Sequence, residues 1–309
     1  MSYSTGVRNE GNKASDSMAK EIGFIGLGVM GFPIAGHLAR AGYDIKIYNR
    51  SAEKLIHWQS VYQNYSNAQI CTQLLELRSA HIIITCVSDG PDVQEIHEAL
   101  LPLIQPHTLF IDHSTTSAEV AQQLYANCQK YQAHFIDAPL SGGQSGAEKG
   151  ALTIMCGGEA ETFTTAQQIL NHYAKKTALL GGPGCGQLTK MVNQICIGGL
   201  LQGLAEGIHF AQQAGLDVTK VIDVIRQGAA QSWQMENRYQ TMIANQYTHG
   251  FAVNLMRKDF NICLNEARKL GVQLPVTALV DQFYAEIQAK KGGHLDTSSL
   301  LTRLIQTNA

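Results

Sequence analysis

Near the start of the chain a short apolar run, Ile22–Ile25, leads directly into Gly26-Leu27-Gly28-Val29-Met30-Gly31, and a helix-like stretch follows. The order strand, glycines, helix constrains the fold more than any other feature, because it is the entry to a layered α/β sheet. Gly26 permits a tight turn, Gly28 lets backbone amides approach a pyrophosphate, and Gly31 allows helix and strand to pack closely. With a second strand candidate beyond it, the segment reads as a dinucleotide-binding turn. Leu27, Val29 and Met30 are counted with the glycines as cofactor-binding. The bland alternative is a glycine-rich turn and nothing more.

From Ala19 to about Gly182 short apolar runs alternate with helix-like stretches. The strand candidates are Glu21–Gly26, Asp44–Tyr48, Ala68–Cys71, His81–Val87, Thr108–Asp112, Ala133–Asp137, Leu152–Cys156 and Thr177–Leu180. Several are almost continuously apolar, as parallel strands buried on both faces must be. Helical stretches such as Met30–Ala41 and Pro91–Leu103 lie between them, so this half predicts a doubly wound, Rossmann-type sheet. After Gly181-Gly182-Pro183-Gly184 the pattern changes. Gln187–Ala214 reads as one long helix, apolar on most sides, followed by helices at Thr219–Arg226, Trp233–Ala244, Phe251–Leu270, Val276–Ala289 and Ser298–Ile305. The expected division is an extension at 1–19 that is polar and lacks order, an α/β unit at 20–182 and an all-α unit at 183–309.

Composition narrows the functional classes. Apolar residues make up 45% of 309 residues and charged residues 16%, enough for a substantial core and against a disordered chain. A net charge of −2 leaves no basic field for nucleic acid. The richest apolar stretch, Ile195–Phe210, contains Gln202, Glu206 and His209, which argues against a membrane span. Seven scattered cysteines without a C-x-x-C pair read as reduced thiols, with no metal site and a cytoplasmic setting.

The end of the second strand candidate bears on the adenosine end of a dinucleotide. An NAD site commonly has a carboxylate there, whereas this chain has Tyr48-Asn49-Arg50-Ser51 with Lys54 close by. An arginine beside a hydroxyl suits a 2′-phosphate, so Asn49, Arg50 and Ser51 point to NADP, with NAD as the alternative. Val87 and Ser88, at the end of another strand candidate, are also counted as cofactor-binding. A second glycine cluster, Ser141-Gly142-Gly143, follows the strand at Ala133–Asp137; a hydroxyl and successive amides there can form a nest for a small carboxylate. In Asp112-His113-Ser114-Thr115-Thr116, Thr116 and Glu119 read as a capping box, and His113 reads as a packing residue. Ser114 and Thr115 sit at the carboxyl end of a strand, where open α/β sheets bind ligands.

Lys190 stands near the start of the long helix, with Asn193 and Gln194 on the same face. On an apolar helix its ammonium should be partly desolvated, which lowers its pKa toward the range of a working proton donor. By spacing alone, a lysine that snorkels from the helix end is equally open.

Six ordered segments, GFIGLGVMGFPIAGHLARAG, YNRS, DHSTTS, DAPLSGGQSGAEKGALTIMCGG, GPGCGQLTKMVNQ and LMRKDF, resemble those of the β-hydroxyacid dehydrogenases. That family includes 3-hydroxyisobutyrate dehydrogenase, tartronate semialdehyde reductase and glyoxylate/succinic semialdehyde reductases. The resemblance implies a Rossmann domain, a helical domain built on the long helix, and an active site in the cleft between them. It implies Lys190 as the catalytic lysine, Ser141, Gly142 and Gly143 as the loop gripping a substrate carboxylate, and Asn193 or Gln194 as an orienting side chain. It places Thr115 near the nicotinamide and Lys258 with Asp259 as a pair closing over cofactor and substrate.

The expected chemistry is reversible hydride transfer between NADP(H) and a small 3-hydroxy or ω-hydroxy carboxylate and its semialdehyde. Two segments depart from the family pattern: Leu140 replaces a frequent valine, and Gln231–Met235, expected to shape the pocket, differs from the better-characterised branches. The rival readings are an imine reductase of related architecture and a cofactor-binding relative without chemistry. The long apolar helix further predicts a homodimer or homotetramer, with no membrane or nucleic-acid partner.

Overall fold

The computed structural model of the chain describes residues 21–305; the extension expected at 1–19 lies outside them. Six short strands, Ile22–Ile25 (β1), Ile45–Tyr48 (β2), Ala68–Cys71 (β3), Ile82–Thr85 (β4), Leu109–Asp112 (β5) and His134–Asp137 (β6), run parallel in the order β3-β2-β1-β4-β5-β6. Leu140–Ser141 (β7), Leu152–Gly158 (β8) and Ala174–Leu179 (β9) extend this sheet; β8 is antiparallel to β6 and β7 and parallel to β9. Alternation along the strands feeds two cores, one on each face. Ile22, Phe24, Ile47 and Ile111 pack with Ile34, Leu38 and Trp58, while Ile25, Ile83, Phe110 and Phe135 pack with Leu100 and Leu124.

The covering helices are Gly31–Arg40 (α1), Ala52–Val61 (α2), Gly90–Leu100 (α3), Ala118–Lys130 (α4), Gly143–Glu148 (α5) and Ala160–Leu170 (α6). Ile25 pairs with Tyr48 and with Thr85, and Thr85 with Asp112, so four strand ends share one edge. The winding reverses between β1 and β4, and the crevice at such a reversal is where open sheets bind ligands.

The second half is helical: Cys185–Gln213 (α7), Val218–Ile225 (α8), Trp233–Ile243 (α9), Val253–Leu270 (α10), Pro275–Ala289 (α11) and Leu301–Leu304 (α12). Its core gathers Leu201, Leu204 and Ile208 of α7 around Met256, Phe260 and Tyr284. The start of α7 is anchored by the last residue of β6. The buried Asp137 carboxylate accepts the Gly184 amide at 2.8 Å and the Gln187 amide at 2.9 Å. A Cβ on Gly186 would lie 2.7 Å from the Asp137 carbonyl, so helix and strand meet this closely only through glycine. Burial pushes the Asp137 carboxyl up to about 6, against the lowering effect of those two amides.

Three local expectations are corrected. The cap of α4 is Ser117, whose Oγ accepts the Val120 amide at 3.2 Å, and not Thr116. The Thr116 amide is held instead by Gln187 Oε1 at 3.0 Å, and Glu119 pairs with Lys269, so neither partner of the expected box is available. The anion-nest segment carries the two-residue strand β7 and the short helix α5, which its glycines conceal from a propensity reading. The expected helix Ser298–Ile305 is a 3-10 turn over Thr297–Leu300 followed by the single turn α12.

Candidate active site

A cavity of about 1110 Å³ opens between the sheet's ligand-binding edge and the helical half. At its sheet end lies the first glycine turn. Gly26 has φ +102°, and a Cβ there would collide with the Cys86 carbonyl, so this position requires glycine. The amides of Gly28, Val29 and Met30 donate to no acceptor among the described residues, and they precede the first turn of α1. Unpaired amides at a helix start are what a pyrophosphate needs, so the residues present fit the phosphate bridge of a nicotinamide dinucleotide. Leu27 is the exception within the turn: its side chain is in the core and its amide donates to Asn49 Oδ1 at 2.9 Å, so it does not line the cavity. Gly31 does not line it either; it abuts the Gly26 carbonyl and brings α1 against β1.

Asn49, Arg50, Ser51 and Lys54, expected at the adenosine end of a dinucleotide, line the same cavity. Arg50 reaches across the opening to Asp92 of α3, its Nη1 2.9 Å from Oδ1. Asp92 was not legible as part of this site, since it is far along the chain and inside a helix signal. Val87, Ser88 and Thr115 line the middle of the cavity, and Lys258 of α10 closes over them. Lys258 Nζ donates to the Ser88 carbonyl at 2.8 Å and the Thr115 carbonyl at 2.9 Å, and pairs with Asp259 at 3.3 Å. One lysine thus joins the helical half to two loops of the sheet half.

α7 and the second glycine cluster line the cavity together. Gly142 and Gly143 both have positive φ, +134° and +62°, and their amides donate to no acceptor among the described residues. A connected polar chain runs away from this turn. Ser141 Oγ donates to Asn193 Oδ1 at 3.1 Å, Asn193 Nδ2 to Gln194 Oε1 at 2.8 Å, and Gln194 Nε2 to Asp259 Oδ2 at 2.7 Å. Asn193 and Gln194 therefore divide the work: the first meets the turn, and the buried second is tied to Asp259.

Lys190 is 7% exposed and lines the same cavity, its Nζ donating to the Leu140 carbonyl at 2.8 Å. Burial lowers its pKa below the ordinary lysine value; Asp259 opposes that shift and Lys258 adds to it. The geometry at Lys190 is that of a desolvated ammonium aimed at the cavity wall, and not of a snorkelling side chain. His113 has both ring nitrogens engaged, 2.7 Å from the Ala138 carbonyl and 2.8 Å from the Tyr173 hydroxyl, and burial lowers its pKa to about 4. It is a packing residue. Gln187, which sequence reading passed over, ties α7 to the loop after β5 through the Thr116 amide and the Ser114 carbonyl.

All seven cysteines are free thiols, and no group of three or more His, Cys, Asp or Glu side chains gathers to hold a metal among the described residues. None of the described helices is long and apolar enough to cross a membrane.

Comparison with known proteins finds two family models in succession. One, described as the NAD binding domain of 6-phosphogluconate dehydrogenase, matches residues 21–182. The other, described as NAD-binding of NADP-dependent 3-hydroxyisobutyrate dehydrogenase, matches residues 184–304. An uncharacterized oxidoreductase of Shewanella frigidimarina is 51% identical over 290 residues, covering 93% of this chain and 98% of that protein. The 2-hydroxy-3-oxopropionate reductase of Escherichia coli is 31% identical over 290 residues, covering 92% of this chain and 97% of that one. Among solved structures, the 3-hydroxyisobutyrate dehydrogenase of Mycobacterium tuberculosis with L-serine superposes with a TM-score of 0.83 at 26% identity, over 94% of this chain and 100% of that chain.

Proposed function

The chain belongs to the β-hydroxyacid dehydrogenase family of NAD(P)-dependent oxidoreductases acting on CH–OH groups, and from that premise we propose that it interconverts a small 3-hydroxy or ω-hydroxy carboxylate and its semialdehyde with NADP(H). The observation that carries this reading is the placement of Lys190 in one cavity with the unpaired amides of both glycine turns.

When bound, the nicotinamide supplies or accepts the hydride. The amides of Gly28, Val29 and Met30 hold its phosphate bridge, and Arg50, Ser51 and Lys54 stand where a 2′-phosphate would favour NADP over NAD. Ser141 and the Gly142 and Gly143 amides hold the substrate carboxylate, with Asn193 and Gln194 orienting Ser141. Lys190 gives a proton from Nζ to the oxygen of the reduced carbonyl and takes it back in the reverse direction. A desolvated lysine suits that exchange, because its lowered pKa narrows the gap between holding and releasing the proton. Lys258 excludes water by closing α10 onto the Ser88 and Thr115 carbonyls.

The assembly we propose is a homodimer or homotetramer. Val192, Leu200 and Phe210 of α7 are exposed, Phe210 by 72%, as are Val276 and Leu279 of α11. Exposed apolar side chains on these two helices support a surface for a second copy. Light scattering that finds a monomer would remove this part of the reading.

The deciding experiment is a panel of succinic, methylmalonic and tartronic semialdehydes and glyoxylate, each with NADPH and with NADH. The expected result is turnover of at least one semialdehyde, faster with NADPH. Cofactor binding without turnover of any would reject the assignment.

A further inference from the structure

The helical half also furnishes a stretch of this cavity's wall with Trp233, Gln234 and Arg238 of α9 and with His249 and His294. The hydride-transfer reading makes no use of it.

Arg238 is a fixed part of this wall. Its side chain is 16% exposed, and its Nε lies 3.3 Å from Oδ1 of Asp296, which is fully buried. Asp296 is itself held by three further donors: the Ser298 amide at 3.0 Å, the Ser298 hydroxyl at 2.6 Å and the Phe251 amide at 2.8 Å. Arg238 Nη1 donates to the Asn237 carbonyl at 3.1 Å, and the guanidinium lies over the Trp233 ring, 5.1 Å from its centroid. Gly250, with φ +74°, lets the chain pass against this pair; a Cβ there would collide with Asp296 and reach Arg238 Nη2 at 3.1 Å. What remains is Nη2 itself, which donates to no acceptor among the described residues on a side chain that lines the cavity.

An arginine whose other nitrogens are pinned presents the remaining N–H pair in a set direction, the arrangement that recognises a planar anion. We propose that this stretch of the wall, through Arg238, is a subsite for a second carboxylate. The preferred substrate is then a 3-hydroxy acid, or its semialdehyde, that carries a further carboxylate on a short side arm. One carboxylate sits on the Ser141–Gly143 turn, the carbinol carbon faces Lys190, and the arm reaches Arg238. The inference rests on the roles given above to Lys190 and that turn.

The test compares three stable hydroxy acids that differ only in the arm: 3-hydroxy-2-methylpropanoate, 2-(hydroxymethyl)butanedioate, and 4-amino-2-(hydroxymethyl)-4-oxobutanoate. Their arms end in methyl, carboxylate and carboxamide. Oxidation with NADP is followed for kcat/KM, and binding to the NADP-loaded protein by calorimetry. The dicarboxylate is expected to exceed the methyl compound by about 10- to 100-fold, the range of a charge-assisted hydrogen bond shielded from water. In Arg238→Gln that ratio is expected to fall to within about threefold of unity. Arg238→Lys keeps a cation beside Asp296 while removing the planar fork, so it guards against a folding defect; its ratio should also fall, with thermal unfolding near that of the unaltered chain. Equal preference for the carboxamide arm, or a preference that survives both substitutions, would overturn the subsite. If no compound is oxidised, the semialdehyde panel given above decides the hydride-transfer reading. Calorimetry then still decides the subsite, because tighter binding of the dicarboxylate that is lost in Arg238→Gln supports it and equal binding overturns it.

Discussion

The sheet half and the helical half meet across one cleft but furnish it with different chemistry. The sheet half presents mainly main chain: the amides of Gly28, Val29 and Met30, the Gly142 and Gly143 amides, and the Ser88 and Thr115 carbonyls. The helical half presents side chains: Lys190, Asn193, Gln194, Lys258 and Arg238. A helix has spent its own amides and carbonyls internally, so it can reach a cleft only through side chains, whereas a strand-to-helix turn leaves amides unpaired. On the function proposed above, phosphate and the first carboxylate fall to the sheet half, and proton transfer and the second carboxylate to the helical half.

Substitutions that strike one half and spare the other break this division most directly. The largest effect is expected from Lys190→Ala, which should lower turnover by about 10² to 10⁴ while cofactor titration stays nearly unchanged. A loss of cofactor affinity as large as the loss of turnover would mean that the halves do not divide their roles.

Next comes the joint between them. Asp137→Ala leaves the Gly184 and Gln187 amides buried without their acceptor. At about 1–3 kcal/mol for each, the loss should be about 2–6 kcal/mol in a denaturant titration. A cost below about 1 kcal/mol would show that the joint does not depend on this carboxylate.

A smaller effect tests the sheet half alone. Arg50→Ala should raise the KM for NADPH by about tenfold and that for NADH by less than about threefold, leaving the maximal rate nearly intact. Equal effects on both cofactors would leave Arg50 with no role at a 2′-phosphate, and its pairing with Asp92 would be its whole function.

The smallest expected change is a displacement along the pH axis. Reduction needs Lys190 as ammonium, so kcat/KM for the semialdehyde should fall as pH rises through its pKa, and oxidation should rise through the same point. Burial lowers that pKa, so the inflection should lie below the ordinary lysine value of 10.5. An inflection at or above it would contradict the desolvated setting.

Much of the sheet half was legible because its determinants are local. Each parallel strand is a short apolar run, and each phosphate-type turn needs glycines that stand next to one another in the chain. The long helix was legible as a long stretch apolar on most sides, and Lys190 with Asn193 and Gln194 from helical spacing. Asp92, Gln187 and Arg238 were not, because nothing within a few residues marks them. Arg50 meets Asp92 across 42 positions, Gln187 meets Thr116 across 71, and Arg238 meets Asp296 across the helical half. The capping box expected at Thr116 failed for the same reason, since a distant glutamine had already taken the amide.

The chain by itself determined the alternation of strand and helix, the two glycine turns and the face of α7 that carries the lysine, since those follow from backbone preference and from repeats of two or 3.6 residues. Only the tertiary structure decided what faces that lysine across the cleft and which arginine is left with a nitrogen to offer. Both depend on desolvation and on hydrogen bonds between residues far apart in the chain, whose meeting no local pattern encodes.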